Sequence, residues 1–223
     1  MRKLSAYMVA AAVLVLLSTA LVFGASLPYE IDFSREADGT LPVGWYPLTG
    51  DWQVVDGTLE GSYPPVPGDA QGAFIFIPDL LVDDFDMTMT IEFKSVSDGR
   101  RFGAIMIRSA AATGAPRHKF LLRQEATRND GVGLLFRDSD KRSSWVQRTN
   151  LDHDFELDTP YRLRVLAYGD QIKFLVNDTL ALNADATTYL QKGSIGFAVH
   201  GATVRFSDIR IDEIDEREFD SIR

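Results

Sequence analysis

Residues 85–96 alternate without a break, with Phe85, Met87, Met89, Ile91 and Phe93 on one side and Asp86, Thr88, Thr90, Glu92 and Lys94 on the other. A period of two puts every second side chain on the same face of an extended chain, which predicts a strand with one buried and one solvated face. The alternation returns at 102–108, 119–125, 132–137, 161–168, 172–176, 194–200 and 203–211, and no stretch of comparable length repeats at helical period. Between these runs stand chain-reversing pairs: Asp98-Gly99, Asp130-Gly131, Gly169-Asp170, Asn177-Asp178, Lys192-Gly193 and His200-Gly201. Earlier, Asp56-Gly57 joins two short runs, and Pro64, Pro65, Pro67 and Gly68 form a stiff loop before 73–77. Many short strands with close turns predict one all-β sandwich, built mostly of consecutive hairpins, over residues 25–211. Residues 212–223, with Glu213, Asp215, Glu216, Glu218 and Asp220, are expected to form a mobile acidic tail.

The first 24 residues follow a different pattern. Arg2 and Lys3 precede an apolar run from 7 to 23, which ends in the small residues Gly24, Ala25 and Ser26. This is the pattern of an export signal, with cleavage expected after Gly24. An uncleaved anchor is the alternative, since about 20 apolar residues span a bilayer. Either way the sandwich is expected outside the cytoplasm, secreted, periplasmic or on the cell surface. The 223-residue chain has a formal charge of −9, which argues against nucleic acid and against anionic membrane surfaces. It has no Cys, which removes disulfides, thiolate metal sites and Cys nucleophiles. Stability must therefore come from core burial, for which 14 Phe and 3 Trp are available.

The stretches "DGTLPVGWYPLTGDWQVVDGTLEG" (38–61), "DFDMTMTIEF" (84–93), "FGAIMIRS" (102–109), "KFLLRQE" (119–125), "YRLRVLAYGDQIKFLVNDTLAL" (161–182) and "GSIGFAVHGATVRFSDIRI" (193–211) occur in fixed order. In that order the chain resembles the concanavalin A-like lectin and glucanase superfamily, with its laminin-G-like and carbohydrate-binding-module members. The resemblance implies a jelly-roll of two antiparallel sheets whose concave face holds a glycan. It also implies that 85–96, 102–108, 119–125 and 132–137 lie side by side across that face. If Ile105, Ile107, Phe120 and Leu122 point inward, then Ala104, Met106, Arg108, Leu121, Arg123 and Glu125 point outward. Glu92 and Arg137 are the outward polar residues expected on the neighbouring strands.

Laminarinase-type members carry Glu-x-Asp-x-x-Glu on a central strand, and retaining hydrolysis needs two carboxyl groups about 5 to 5.5 Å apart. Here that strand reads Phe120-Leu121-Leu122-Arg123-Gln124-Glu125, without the dyad. The spacing occurs only at Glu213-Ile214-Asp215-Glu216-Arg217-Glu218, in the acidic tail, where charge density alone accounts for it. No catalytic pair is assigned, and Glu92 with Glu125 is the enzymatic alternative, a hydrolase of a glycan or of a 3-keto-disaccharide, whose hydrolases the chain also resembles. His118, His153 and His200 lack metal-site spacing. No metal or other cofactor is assigned; Asp83-Asp84, Asp138-Ser139-Asp140 and Asp152-His153-Asp154 leave calcium open.

Sugar recognition needs aromatic area and forked polar groups that match pairs of hydroxyls. The candidates are Arg108, Arg123, Glu125, Trp145 and Arg148, with Gln147 expected on the Trp145 side. Trp45 and Trp52 are read as structural plugs, and Asn177-Asp178-Thr179 as a turn. The function that best fits is noncatalytic binding of a glycan or oligosaccharide. A protein-contact or adhesion domain is the third reading.

Overall fold

The computed structural model describes residues 26–64, 72–97, 101–110, 115–123, 131–140, 142–149, 155–186 and 188–223. In chain order the strands are β1 (Tyr29–Ile31), β2 (Tyr46–Thr49), β3 (Asp51–Val55), β4 (Thr58–Tyr63), β5 (Ala73–Val82), β6 (Phe85–Val96), β7 (Phe102–Ser109) and β8 (Arg117–Arg123). They continue with β9 (Gly131–Arg137), β10 (Ser143–Thr149), β11 (Pro160–Tyr168), β12 (Gln171–Val176), β13 (Thr179–Asp185), β14 (Gly193–His200) and β15 (Ala202–Asp212), and a helix α1 (Glu216–Ser221) follows. They form two antiparallel sheets. One runs β13-β12-β11-β6-β15-β4-β3, with β1 added to β15; the other has seven strands in the order β10-β9-β8-β7-β14-β5-β2. This is the expected jelly-roll sandwich.

The predicted turns at Asp56-Gly57, Gly169-Asp170 and Asn177-Asp178 close hairpins, whereas those at Lys192-Gly193 and His200-Gly201 carry the chain from one sheet to the other. Asn177 and Asp178 both take positive φ, 48° and 61°, between β12 and β13, and Asp56 and Gly57 do the same at 51° and 70° between β3 and β4. Two successive left-handed residues match the right-handed strand twist, and Asn, Asp and Gly tolerate that conformation best.

The main core lies between the sheets. Phe85, Met87, Met89, Ile91 and Phe93 of β6 meet Ile105, Ile107, Phe120, Leu122 and Phe197 from the other sheet, all at 0–1% exposure. Phe120 stacks on Phe174 at 4.9 Å, and Trp45 stacks on Phe197 at 6.2 Å. Trp52 covers Gly61, where an added Cβ would meet the indole at 2.4 Å, and its Nε1–H donates to the Thr49 carbonyl at 3.1 Å. Both early tryptophans are thus packed in the core.

Two expectations are corrected. Strand β6 does not lie beside β7, β8 and β9: it pairs with β11 and β15 in the opposite sheet. Alternation fixes which side of a strand is buried but not which sheet the strand joins, so the inward set was right and the neighbours were not. The acidic tail is also not loose. Asp215 caps α1 by accepting from the Glu218 N–H at 2.9 Å. Phe219, Ile214 and Ile222 pack on Leu166 and Leu175. Beneath the helix, the buried Lys173 ammonium donates to the carbonyls of Phe219 and Ile222 at 2.7 and 2.9 Å. The Glu213-to-Glu218 string therefore runs into a surface helix, not a strand.

Candidate functional site

The outer face of the seven-stranded sheet follows from register. Reading across strands, one row is Trp145, Leu135, Lys119, Met106, Gly196, Phe76 and Tyr46; the next is Arg148, Gly133, Leu121, Ala104, Ala198 and Phe74. Beyond that row lie Gly131, Arg123, Phe102 and His200, and at the opposite end Ser143, Arg137 and Arg117. Rows are two residues, about 6.8 Å, apart.

The floor is apolar and buried: Phe74, Phe76, Phe102, Ala104, Met106, Leu121 and Ala198 form a second cluster separate from the main core. Long cations lie across it. The Arg117 guanidinium sits 4.8 Å from the Phe74 ring centroid, and the Lys119 ammonium 4.6 Å from that of Phe102. His200 is held between Phe102 at 5.5 Å and Tyr63 at 5.7 Å.

Trp145 stands at one rim, 37% exposed. Its indole lies over Gly133, where an added Cβ would come within 2.5 Å of the ring. The side-chain-free Gly131 and Gly133 let the ring rest on β9 and let two guanidiniums reach it, Arg123 at 5.3 Å and Arg148 at 4.9 Å. Arg148 shares this face because a register shift between Trp145 and Gln147 turns the strand. The same shift puts Gln147 opposite core-facing Leu134, so the expected Gln147 placement is corrected. Tyr46, 78% exposed, faces the same way from the far edge of the sheet.

Arg108 does not join this group. The pairing of β14 with β7 shifts between Ser194 and Gly196, and Arg108 takes φ +47° there. Its side chain turns into the end of the sandwich, fully buried, and donates to the carbonyls of Asp83 (3.1 and 3.0 Å) and Gly169 (2.7 Å) and to Asp84 Oδ1 (3.4 Å). Burial lowers its pKa, and Asp84 works against that shift. Arg108 thus clamps two loops together. Asp84 also accepts from the Gly169 N–H, and Asp138 and Asp140 hold Arg142.

Glu92 is likewise elsewhere, on the outer face of the eight-stranded sheet with Lys94 at 2.9 Å. It is therefore on a different sheet from β8. Glu125, His153, Asp152 and Asp154 lie outside the described residues.

The two outer faces differ in charge pairing. On the eight-stranded sheet Arg164 binds Asp86, Arg205 binds Glu60 and Asp56, and Arg162 binds Asp178. On the seven-stranded face Arg117 stands directly opposite Arg137, and the Nε of each side chain is buried without a hydrogen-bond partner. Sequence reasoning missed Arg117, Lys119 and Arg137 as a set, although Arg117 and Lys119 share one alternation with Arg123.

Among the described residues no three His, Asp or Glu side chains group as a metal site, and no helix is long and apolar enough to cross a membrane. Among solved structures, the carbohydrate-binding module CBM66 of Bacillus subtilis matches with a TM-score of 0.60 at 23% identity, over 76% of this chain and 96% of that one. A β-glucanase of Bacillus licheniformis matches at 0.59 and 9% identity, over 85% and 100%. A lichenase derived from a mouse hindgut metagenome matches at 0.61 and 12%, over 83% and 99%. These likenesses are of fold. No curated protein matches the chain. The sequence model of the 3-keto-alpha-glucoside-1,2-lyase-like domain matches residues 33–212, and the chain belongs to that family.

Proposed function

We propose that the protein is an exported carbohydrate-binding domain that receives an oligosaccharide on the outer face of its seven-stranded sheet. The observation that carries this reading is Trp145 at the rim of an apolar floor, with Arg123 and Arg148 against its ring. The aromatic surface takes the C–H face of a sugar ring, and the guanidinium forks take pairs of hydroxyls. A fold shared with a carbohydrate-binding module and with glucanases supports it. The test is a glycan-array screen followed by calorimetry on the wild type and Trp145→Ala. A bound glycan that loses at least tenfold in affinity in the variant is expected; no bound glycan, or unchanged affinity, would overturn the proposal.

Family membership favours a second reading, eliminative cleavage of a 3-keto-glucoside. The ketone acidifies the C2 proton; a base removes it, the C1–O bond to the leaving group breaks, and a C1–C2 double bond forms. His200 is the described imidazole on this face, with Arg123 two strands away to steady the enolate oxygen. Incubation with a 3-keto-α-glucoside would then give a conjugated enone absorbing in the ultraviolet, lost in His200→Gln. Absence of the enone with the wild type would remove this reading.

A further inference from the structure

Arg117 is a buried cation whose guanidinium rests on the Phe74 ring. Its side chain is 4% exposed, its Nε has no hydrogen-bond acceptor, and its cross-strand neighbour on β9 is another arginine whose Nε is also unsatisfied. Like charges directly opposite each other on a sheet destabilise it, and a buried cation without a counter-charge costs more still. Burial, and after it the Arg137 charge, push the Arg117 pKa down to about 10, so it remains a cation at neutral pH. Every comparable arginine on the other outer face has a carboxylate. Among the described residues no carboxylate is among the charges that act on Arg117.

Arg117 and Arg137 stand opposite each other on adjacent strands, about 4.8 Å apart at the backbone, and although the Arg117 guanidinium rests over the Phe74 ring, both long side chains have the reach to meet one anionic group. The Phe76–Met106–Trp145 row begins one row, about 6.8 Å, further along the strands, which is the span from the middle of a sugar ring to a substituent on the ring or on its neighbour. A free inorganic anion would use the arginines but not the apolar row. We infer that Arg117 and Arg137 form an anion subsite, and that the glycan bound on this face is acidic, carrying a carboxylate or sulfate group. The inference rests on the binding reading above and narrows its ligand class.

The test uses matched pairs of oligosaccharides: oligogalacturonate against oligogalactose, oligoglucuronate against oligoglucose, and each neutral chain with and without 6-sulfate. Affinities are measured by calorimetry at low and high salt. At least one acidic member is expected to bind tenfold or more tightly than its neutral partner at low salt, with the advantage shrinking as salt rises. Arg117→Met and the more exposed Arg137→Gln should each abolish the advantage while changing neutral affinity less than twofold. The uronate and sulfate arms separate a planar from a tetrahedral anion. Equal binding of acidic and neutral members, or an advantage that survives both substitutions, would overturn the inference and leave the binding reading standing. Failure of every oligosaccharide to bind would overturn both.

Discussion

His118 makes a quantitative test of how the sandwich responds to acid. It is the second residue of β8, with no exposed surface, its ring 5.1 Å from that of Phe136, and neither ring nitrogen has a hydrogen-bond partner. Burial chiefly, and the nearby Arg108 charge second, lower its pKa from 6.5 to about 4. The ring is neutral in both the folded and unfolded states above pH 7, and stability there is independent of it. Between pH 6.5 and 4 the unfolded chain binds a proton that the folded chain refuses, so stability falls as pH falls through that window and levels off below it. With 1.36 kcal/mol per pKa unit, the loss is about 2 kcal/mol at pH 5 and about 3 kcal/mol at pH 4. The experiment is urea unfolding followed by tryptophan fluorescence from pH 7.5 to 4, on the wild type and on His118→Leu. Leucine nearly matches the ring volume and removes two unsatisfied polar atoms, so the variant should equal or exceed the wild type at pH 7.5. Carboxylates titrate in both proteins, and the stability difference isolates the histidine. It should widen in favour of the variant by about 3 kcal/mol on reaching pH 4. Parallel curves would refute a neutral His118 in the folded core.

Other substitutions separate scaffold from site. Arg108→Met leaves buried carbonyls of Asp83 and Gly169 without their donor and should cost about 3 kcal/mol in urea unfolding, with glycan affinity unchanged. Gly133→Val drives a side chain into the Trp145 ring; the near-ultraviolet circular dichroism of the indole should change, and glycan affinity should fall at least tenfold. Phe219→Ala empties the contact between α1 and the eight-stranded sheet and should cost about 3 kcal/mol, with hydrogen exchange accelerated at β12.

Strands and hairpin turns were legible because period two and pairs such as Asn177-Asp178 are local signals. Sheet membership was not, since nothing within 85–96 distinguishes pairing with β11 and β15 from pairing with β7. Simple alternation placed Arg123 on the outer face, as found, but misplaced Arg108, because β7 carries one extra residue there in its pairing with β14 and the residue types at 107–109 do not announce it. Trp145 and Arg148 share a face through another bulge, not through the spacing that suggested Gln147. The arginine pair depends on a register, Arg117 opposite Arg137, that joins residues 20 positions apart. Phe74 and Phe76 were hidden in an unbroken apolar run, which reads as core on both faces; only the structure shows that one of those faces belongs to a second cluster, apart from the main core. The short helix α1 offered too few turns for periodicity to register, although Phe219 and Ile222 were the apolar residues among its charges.

The central claim is that ligand meets the outer face of the seven-stranded sheet. Amide and indole chemical shifts of the isotope-labelled protein, followed while the tightest-binding oligosaccharide of the matched pairs is added, test it most directly. The account predicts shifts concentrated in β7, β8, β9, β10 and β14 and at the Trp145 indole, with β11, β12 and β13 silent. Shifts confined to the eight-stranded sheet, with Trp145 unmoved, would contradict it.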